Sequence, residues 1–315
     1  MRTRLLFILV AAFLLTGCAS RQRPAELARM SDMRYPFPVH YAALPQDITV
    51  GYMDEGRGER TLLFVHGLGS YAPAWLKNIE DLKKDYRCIA MDLPGYGHSS
   101  KADYPGDMAF YAGVIADLIR HLKIEPVTLV GHSMGGQIAM VTALGHPELV
   151  GGLVLVAPAG FETFHKGQKQ WFREVFTPDM VRLTPVEAIR NNYATNFYKF
   201  PKDAEFMIND RIAMRSAADF RWYCDIIPKN VRGMVDQPVY ELLPEISQPV
   251  LTIFGQNDNL IPNRYLNGGT TEAIAHEGSR RIPNSLLVMV PKAGHFVQFE
   301  KSDQVNKAIR GFLGK

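Results

Sequence analysis

The chain predicts an α/β fold with a mostly parallel central sheet, helices on both faces and an inserted helical cap. Three observations carry that expectation. Short apolar, β-branched runs at 61–65, 88–91, 127–130 and 149–156 alternate with helix-length segments, and strands of a parallel sheet, buried on both faces, read as such runs. The rhythm stops over 161–245, a stretch rich in Phe, Tyr, Trp, Met and Arg whose segments are punctuated by Pro178, Pro185, Pro201 and Pro228. It returns at 249–254 and 286–290. The core is therefore expected over 37–160 and 246–315, with 161–245 as a cap between its two parts.

Composition removes several function classes. The 315 residues are 47% hydrophobic and 21% charged, which fits a globular chain large enough for one domain with an insertion. A formal net charge of +3 without a long basic run offers no electrostatic footprint for nucleic acid. A Gly-rich phosphate loop ending in Lys-Ser/Thr, a Cys-x-x-Cys pair and a His-x-x-x-His helix are all missing from the sequence. No cofactor and no metal are expected on those grounds.

The N-terminus reads as a targeting segment. Arg2 and Arg4 precede an apolar run over 5–15 that is short for a bilayer span, followed by Leu15-Thr16-Gly17-Cys18. This tetrapeptide resembles the bacterial lipobox, in which the cysteine is lipidated and becomes the first residue of the mature protein; an ordinary secretory signal or an uncleaved anchor is the alternative. The resemblance implies a signal peptide over 1–17, a tether over 18–36 and membrane attachment through Cys18. Ala19, where an Asp would retain the protein at the inner membrane, is similar to the rule for outer-membrane sorting. The implied location is the bacterial cell envelope, lipid-anchored and facing the periplasm. Of the two remaining cysteines, Cys88 falls in an expected buried strand, and no bridge to Cys224 is assigned.

Taken in order, the elements place polar loops at strand ends. Strands at 37–42 and 48–53 open the fold around a turn at Leu44-Pro-Gln-Asp, and Glu55-Gly-Arg-Gly is the next turn. Strand 61–65 leads into His66-Gly67-Leu68-Gly69, helix 75–84 follows, and strand 88–91 runs into Asp92-Leu-Pro-Gly-Tyr-Gly-His-Ser99. Helix 108–122, with apolar residues at near-helical spacing, precedes strand 127–130. Next come Gly131-His132-Ser133-Met134-Gly135 and a helix over 135–144. Glycines two before and two after Ser133 leave room for a sharp turn that exposes its hydroxyl next to the N–H groups of a helix start. After the cap, strand 249–254 ends four residues before Asp258, and strand 286–290 precedes Gly294-His295. Ser133, Asp258 and His295 all follow strand ends, where ligands of open α/β sheets collect.

These motifs resemble the α/β-hydrolase superfamily, and within it the serine esterases and lipases. The resemblance implies Ser133 as nucleophile, His295 as base and Asp258 as the acid, in the chain order Ser, Asp, His. It also implies an oxyanion hole from the backbone N–H groups of Leu68 and Met134. His66 is expected to pack and hydrogen-bond its loop, and Asp92 to hold a turn. Glu162, six residues after Val156, competes with Asp258 for the role of acid. The implied activity is hydrolysis of a small-molecule or lipid carboxylic ester. C–C bond hydrolysis or perhydrolysis on the same fold, and a non-catalytic lipoprotein scaffold, remain alternatives. If Cys18 is the lipidated residue, Cys18→Ala will yield a protein without acyl mass, either released or unprocessed. Intact-mass analysis checks this, and a mature N-terminus elsewhere would refute it.

Overall fold

The computed structural model describes residues 26–314; Cys18, the signal segment and the first part of the tether lie outside them. Eight strands form one sheet: β1 (Val39–Leu44), β2 (Ile48–Glu55), β3 (Thr61–Val65), β4 (Arg87–Met91), β5 (Val127–His132), β6 (Val150–Val156), β7 (Val250–Gly255) and β8 (Ser285–Val290). Their order is β1-β2-β4-β3-β5-β6-β7-β8. The β1–β2 and β2–β4 pairs are antiparallel, and every other pair is parallel. Gln46 and Asp47, at φ 61° and 57°, take the left-handed conformation within the three-residue connection between the paired Leu44 and Ile48.

Side-chain alternation splits the core between the two faces of the sheet. In β3, Leu63 and Val65 pack on one side and Leu62 and Phe64 on the other; β4 does the same with Ile89 and Met91 against Cys88 and Ala90. The first face carries helices α2 (Met108–Leu122) and α3 (Met134–Gly145), through residues such as Ile115 and Ile138. The second carries α1 (Leu76–Leu82), through Ile79 and Leu82.

Between β6 and β7 lies the expected helical insertion, with α4 (Lys166–Val175), α5 (Pro178–Leu183), α6 (Val186–Thr195), α7 (Glu205–Ala213) and α8 (Phe220–Asp236). Helices α9 (Thr271–Arg281), α10 (Val297–Glu300) and α11 (Ser302–Leu313) complete the described chain. Val305 and Ile309 of α11 join α1 on the second face.

Two sequence expectations are revised here. Pro178 opens α5 and Pro185 caps α6, as punctuation should, but Pro228 lies inside the 17-residue α8. A proline there forfeits one backbone hydrogen bond and costs about 3 kcal/mol relative to alanine. The burial of Tyr223, Ile226, Ile227, Val231 and Val235 along the same helix offsets it. The described end of the expected tether, 26–36, is also packed. Met30 and Met33 are buried, the Leu27 N–H donates to Ser216 Oγ at 2.8 Å, and the Met30 N–H donates to Asp219 Oδ1 at 2.9 Å. Ala218 returns a bond to the Ala28 carbonyl at 2.9 Å. This stretch straps the insertion to the core.

Helices α1 and α11 are joined by charge as well as by packing. Arg310 Nη1 lies 2.6 Å from Asp81 Oδ2, and its Nε lies 2.7 Å from Asp85 Oδ2. The Arg310 guanidinium holds the Asp81 carboxyl down at about 2. A depressed carboxyl contributes stability above its ordinary range, about pH 4, and loses that contribution as pH falls toward 2. Asp81 is 34% exposed, so solvent screening reduces the term to about 1 kcal/mol. Asp81→Asn should therefore lower stability by about that amount at neutral pH. In denaturant melts, the gap from wild type should shrink between pH 4 and 2.

Candidate active site

Ser133 joins β5 to α3 at φ 53°, ψ −119°, a conformation that L-residues rarely adopt. Its backbone is held on both sides. The N–H donates to the Val156 carbonyl at 3.0 Å, and its carbonyl accepts from Gly136 at 2.9 Å and Ala159 at 3.0 Å. The flanking glycines are required by space: a Cβ on Gly135 would meet the Val65 carbonyl oxygen at 2.3 Å, and one on Gly131 would meet that of Gly135 at 2.3 Å. Met134 is the first residue of α3, so its N–H has no acceptor within the helix.

The loop after β3 lies against this turn, with Gly67, Leu68, Gly69 and Ser70 lining the same cavity as Ser133. His66 fixes it from behind. Leu93 N–H donates to His66 Nε2 at 3.1 Å, which leaves the proton on Nδ1, 2.9 Å from the Gly67 carbonyl it donates to. Burial lowers the His66 pKa, so the ring stays neutral. Asp92 accepts from the Ala72 N–H at 2.8 Å, the His98 N–H at 2.7 Å and the Tyr35 hydroxyl at 2.7 Å. Both residues brace loops, as the sequence suggests.

At the ends of β7 and β8, Asp258 and His295 meet. His295 Nδ1 is 2.8 Å from Asp258 Oδ2, while Asp258 Oδ1 accepts from the N–H groups of Leu260 at 2.7 Å and Ile261 at 3.2 Å. Glu162 is engaged elsewhere: its Oε1 accepts from the Asn263 N–H and from Asn267 Nδ2, both at 2.7 Å, and burial raises its pKa.

The sequence reading assigned His132 no role, yet it sits at the centre of this arrangement. It is buried, its Nε2 lies 3.0 Å from the His295 carbonyl oxygen, and the two rings are 4.7 Å apart. Burial, reinforced by the neighbouring His295, drives its pKa well below the usual histidine value. Its one signal in the sequence is its place beside Ser133.

Ser133, His132 and His295 open onto a cavity of about 500 Å³. The insertion supplies most of the wall, including Phe176, Met180, Val181, Ile189, Ile227 and Met234, with Asn192, Tyr193, Arg211 and Tyr223 as polar members. Among the described residues, no three His, Cys, Asp or Glu side chains gather as a metal site requires. Residues 60–302 match the family model described as alpha/beta hydrolase fold.

The chain belongs to the alpha/beta hydrolase fold family. It is 31% identical over 268 residues to the dihydrolipoyllysine-residue acetyltransferase component of the acetoin cleaving system of Pseudomonas putida. That match covers 82% of this chain and 65% of the relative, so the chain spans about two thirds of the relative's length. It is 29% identical over 280 residues to a 2-hydroxy-6-oxononadienedioate/2-hydroxy-6-oxononatrienedioate hydrolase of Paraburkholderia phymatum, covering 85% of this chain and 92% of that one. The crystal structure of a probable hydrolytic enzyme from Pseudomonas aeruginosa superposes with a TM-score of 0.83 at 25% identity, over 93% of this chain and 99% of that one.

For this member of the alpha/beta hydrolase fold family, the glycine contacts set a clear contrast. Gly135→Ala should lower stability by about 1–3 kcal/mol through forced displacement of α3 from β3. Gly113→Ala, in α2 with open space around the new methyl, should stabilise by about 0.5–1 kcal/mol. Thermal melts of both variants check the difference in sign.

Proposed function

We propose that this chain is a serine hydrolase that cleaves carboxylic esters through an acyl-enzyme. The observation that carries the reading is the 2.8 Å contact of Asp258 with His295, which lines the same cavity as the strained Ser133. With Asp258 accepting from Nδ1–H, the free Nε2 of His295 is the base. His295 takes the proton from Ser133 as Oγ bonds to the ester carbonyl carbon, and the N–H groups of Leu68 and Met134 stabilise the oxyanion. The ester C–O bond then breaks, and the alcohol leaves with the proton from His295. Water, deprotonated by the same imidazole, releases the acid and restores Ser133. Removing one oxyanion donor from such a site costs on the order of 3 kcal/mol of transition-state stabilisation.

The apolar wall from the insertion supports an acyl chain as the group it holds, with 161–245 acting as the cap. The lipobox-like segment ending at Cys18 supports a lipid-anchored enzyme of the cell envelope, on the periplasmic face of the outer membrane. A second reading, hydrolysis of a C–C bond beside a ketone, draws on the relative named as an oxononadienedioate hydrolase.

A fluorophosphonate probe should label the wild type and fail to label Ser133→Ala; no labelling of the wild type would favour a silent scaffold. On p-nitrophenyl esters from acetate to palmitate, Asp258→Asn should lower kcat by about 10⁴-fold. Glu162→Gln should cost little. Equal losses in the two variants, or an unaffected Asp258→Asn enzyme, would overturn the assignment of the acid.

A further inference from the structure

Among the described residues lining the cavity, Arg211 is the only Arg or Lys. Among the other arginines of the insertion, Arg182 pairs with Asp179 and Arg190 with Glu205, and Arg215, Arg221 and Arg232 lie outside the cavity lining. Arg211 has no carboxylate partner among the described residues. Its sequence neighbour Asp210 instead accepts from the Tyr71 hydroxyl at 2.6 Å. Its polar neighbours are neutral: it hydrogen-bonds the Tyr223 hydroxyl and makes a long bond from Nη2 to the Val181 carbonyl at 3.5 Å, while its Nη1 is buried with no closer partner among the described residues. Two rings position it, those of Tyr223 at 5.0 Å and Phe220 at 5.3 Å from ring centroid to guanidinium carbon. The Tyr223 hydroxyl donates to the Gly69 carbonyl at 3.2 Å. The charge therefore sits beside the loop that carries Leu68.

An unpaired, part-buried charge is costly unless a counter-charge completes it, and a guanidinium fork matches the geometry of an oxyacid. We propose that Arg211 is an anion subsite of this cavity, so that the ester it serves carries a carboxylate or phosphate group within reach of the scissile carbonyl. The inference rests on the ester reading above and names the substrate class for it. The competing account is structural. A cavity of about 10 Å³, bordered by Tyr71, Tyr193, Asp210 and Arg211, has room for a single water that would bridge the guanidinium to its neighbours.

The test compares matched esters in wild type, Arg211→Gln and Arg211→Lys. One pair is p-nitrophenyl butyrate against the mono-p-nitrophenyl ester of glutarate; the other is a monoacylglycerol against lysophosphatidic acid of the same acyl chain. In Arg211→Gln, the anionic-to-neutral ratio of kcat/KM should fall about 10- to 100-fold, the worth of a charge-assisted bond, with the change mainly in KM. Arg211→Lys should restore part of it. The pair showing the larger loss identifies carboxylate or phosphate as the group. An unchanged ratio in both pairs overturns the proposal in favour of the structural account. Calorimetric titration of Ser133→Ala with sodium glutarate and with inorganic phosphate gives a readout that needs no turnover. Anion binding that weakens about tenfold or more on adding Arg211→Gln supports the subsite even if no ester is cleaved, in which case only the ester reading fails. Binding indifferent to residue 211 removes the subsite and leaves the ester reading standing.

Discussion

A backbone held at φ 53°, ψ −119° costs on the order of 1–3 kcal/mol, and Ser133 keeps it because the chain around it allows no other path. Helix α3 begins so close to the carboxyl end of β3 that no Cβ fits at Gly135, and β5 ends so close to α3 that none fits at Gly131. The bonds from Ser133 to Val156, Gly136 and Ala159 tie the turn to the neighbouring strand β6 and to the start of the insertion. The conformation is thus over-determined by the sheet. Parallel strands buried on both faces give the turn its rigidity, and the turn presents the proposed nucleophile to the cavity.

Attachment of the insertion bears on the other side of the site. Glu300 accepts from the Gly294 N–H at 2.8 Å and from the N–H groups of Tyr198 and Lys199 at 3.0 and 2.7 Å. Phe296 donates to the Asn196 carbonyl at 3.0 Å, and the rings of Phe296 and Phe197 stack at 5.3 Å. The loop bearing His295 is therefore stitched to the end of α6, whose Tyr193 and Asn196 line the cavity. Phe197, Met207, Phe220 and Tyr223 belong to the same buried cluster as Leu63 and Ile138 of the core. The segment that shapes the pocket is thus also part of what holds the molecule together, and changes in specificity made there will carry a stability cost.

How much of this was legible in the sequence depended on whether a feature is local. The strands β3 to β7 are apolar, β-branched runs, so their period and length announce them, and Ser133, Asp258 and His295 follow strand ends by a few residues. The close pairing of Asp258 with His295, rather than of Glu162, needed the geometry. Both acids follow strands, and only the packing shows Glu162 spent on Asn263 and Asn267. Met30 and Pro228 were misread for the same reason. Two buried Met side chains, Met30 and Met33, in a polar stretch are too few to announce packing, and the apolar face of α8 outweighs a propensity that locally argues for a break. Arg211 among the cap's many arginines carries no mark in sequence, because what sets it apart is its place on the cavity wall, which only the packing of the cap helices shows.

The electrostatics of the site follow from the burial of two of its histidines. Three imidazoles, those of His66, His132 and His295, surround the turn at Ser133, and a cation on either of the first two would oppose the imidazolium that the proposed mechanism forms on the third. Both are kept neutral by burial, with pKa values below the ordinary histidine range. Each spends its ring nitrogens on structure: His66 on Leu93 and Gly67, His132 on the His295 carbonyl. Only His295 is given a carboxylate, and that carboxylate is itself oriented by two backbone N–H groups. Desolvation thus does two things at once. It removes competing positive charge from the site, and it concentrates the field of Asp258 on the one imidazole that shares the cavity with Ser133.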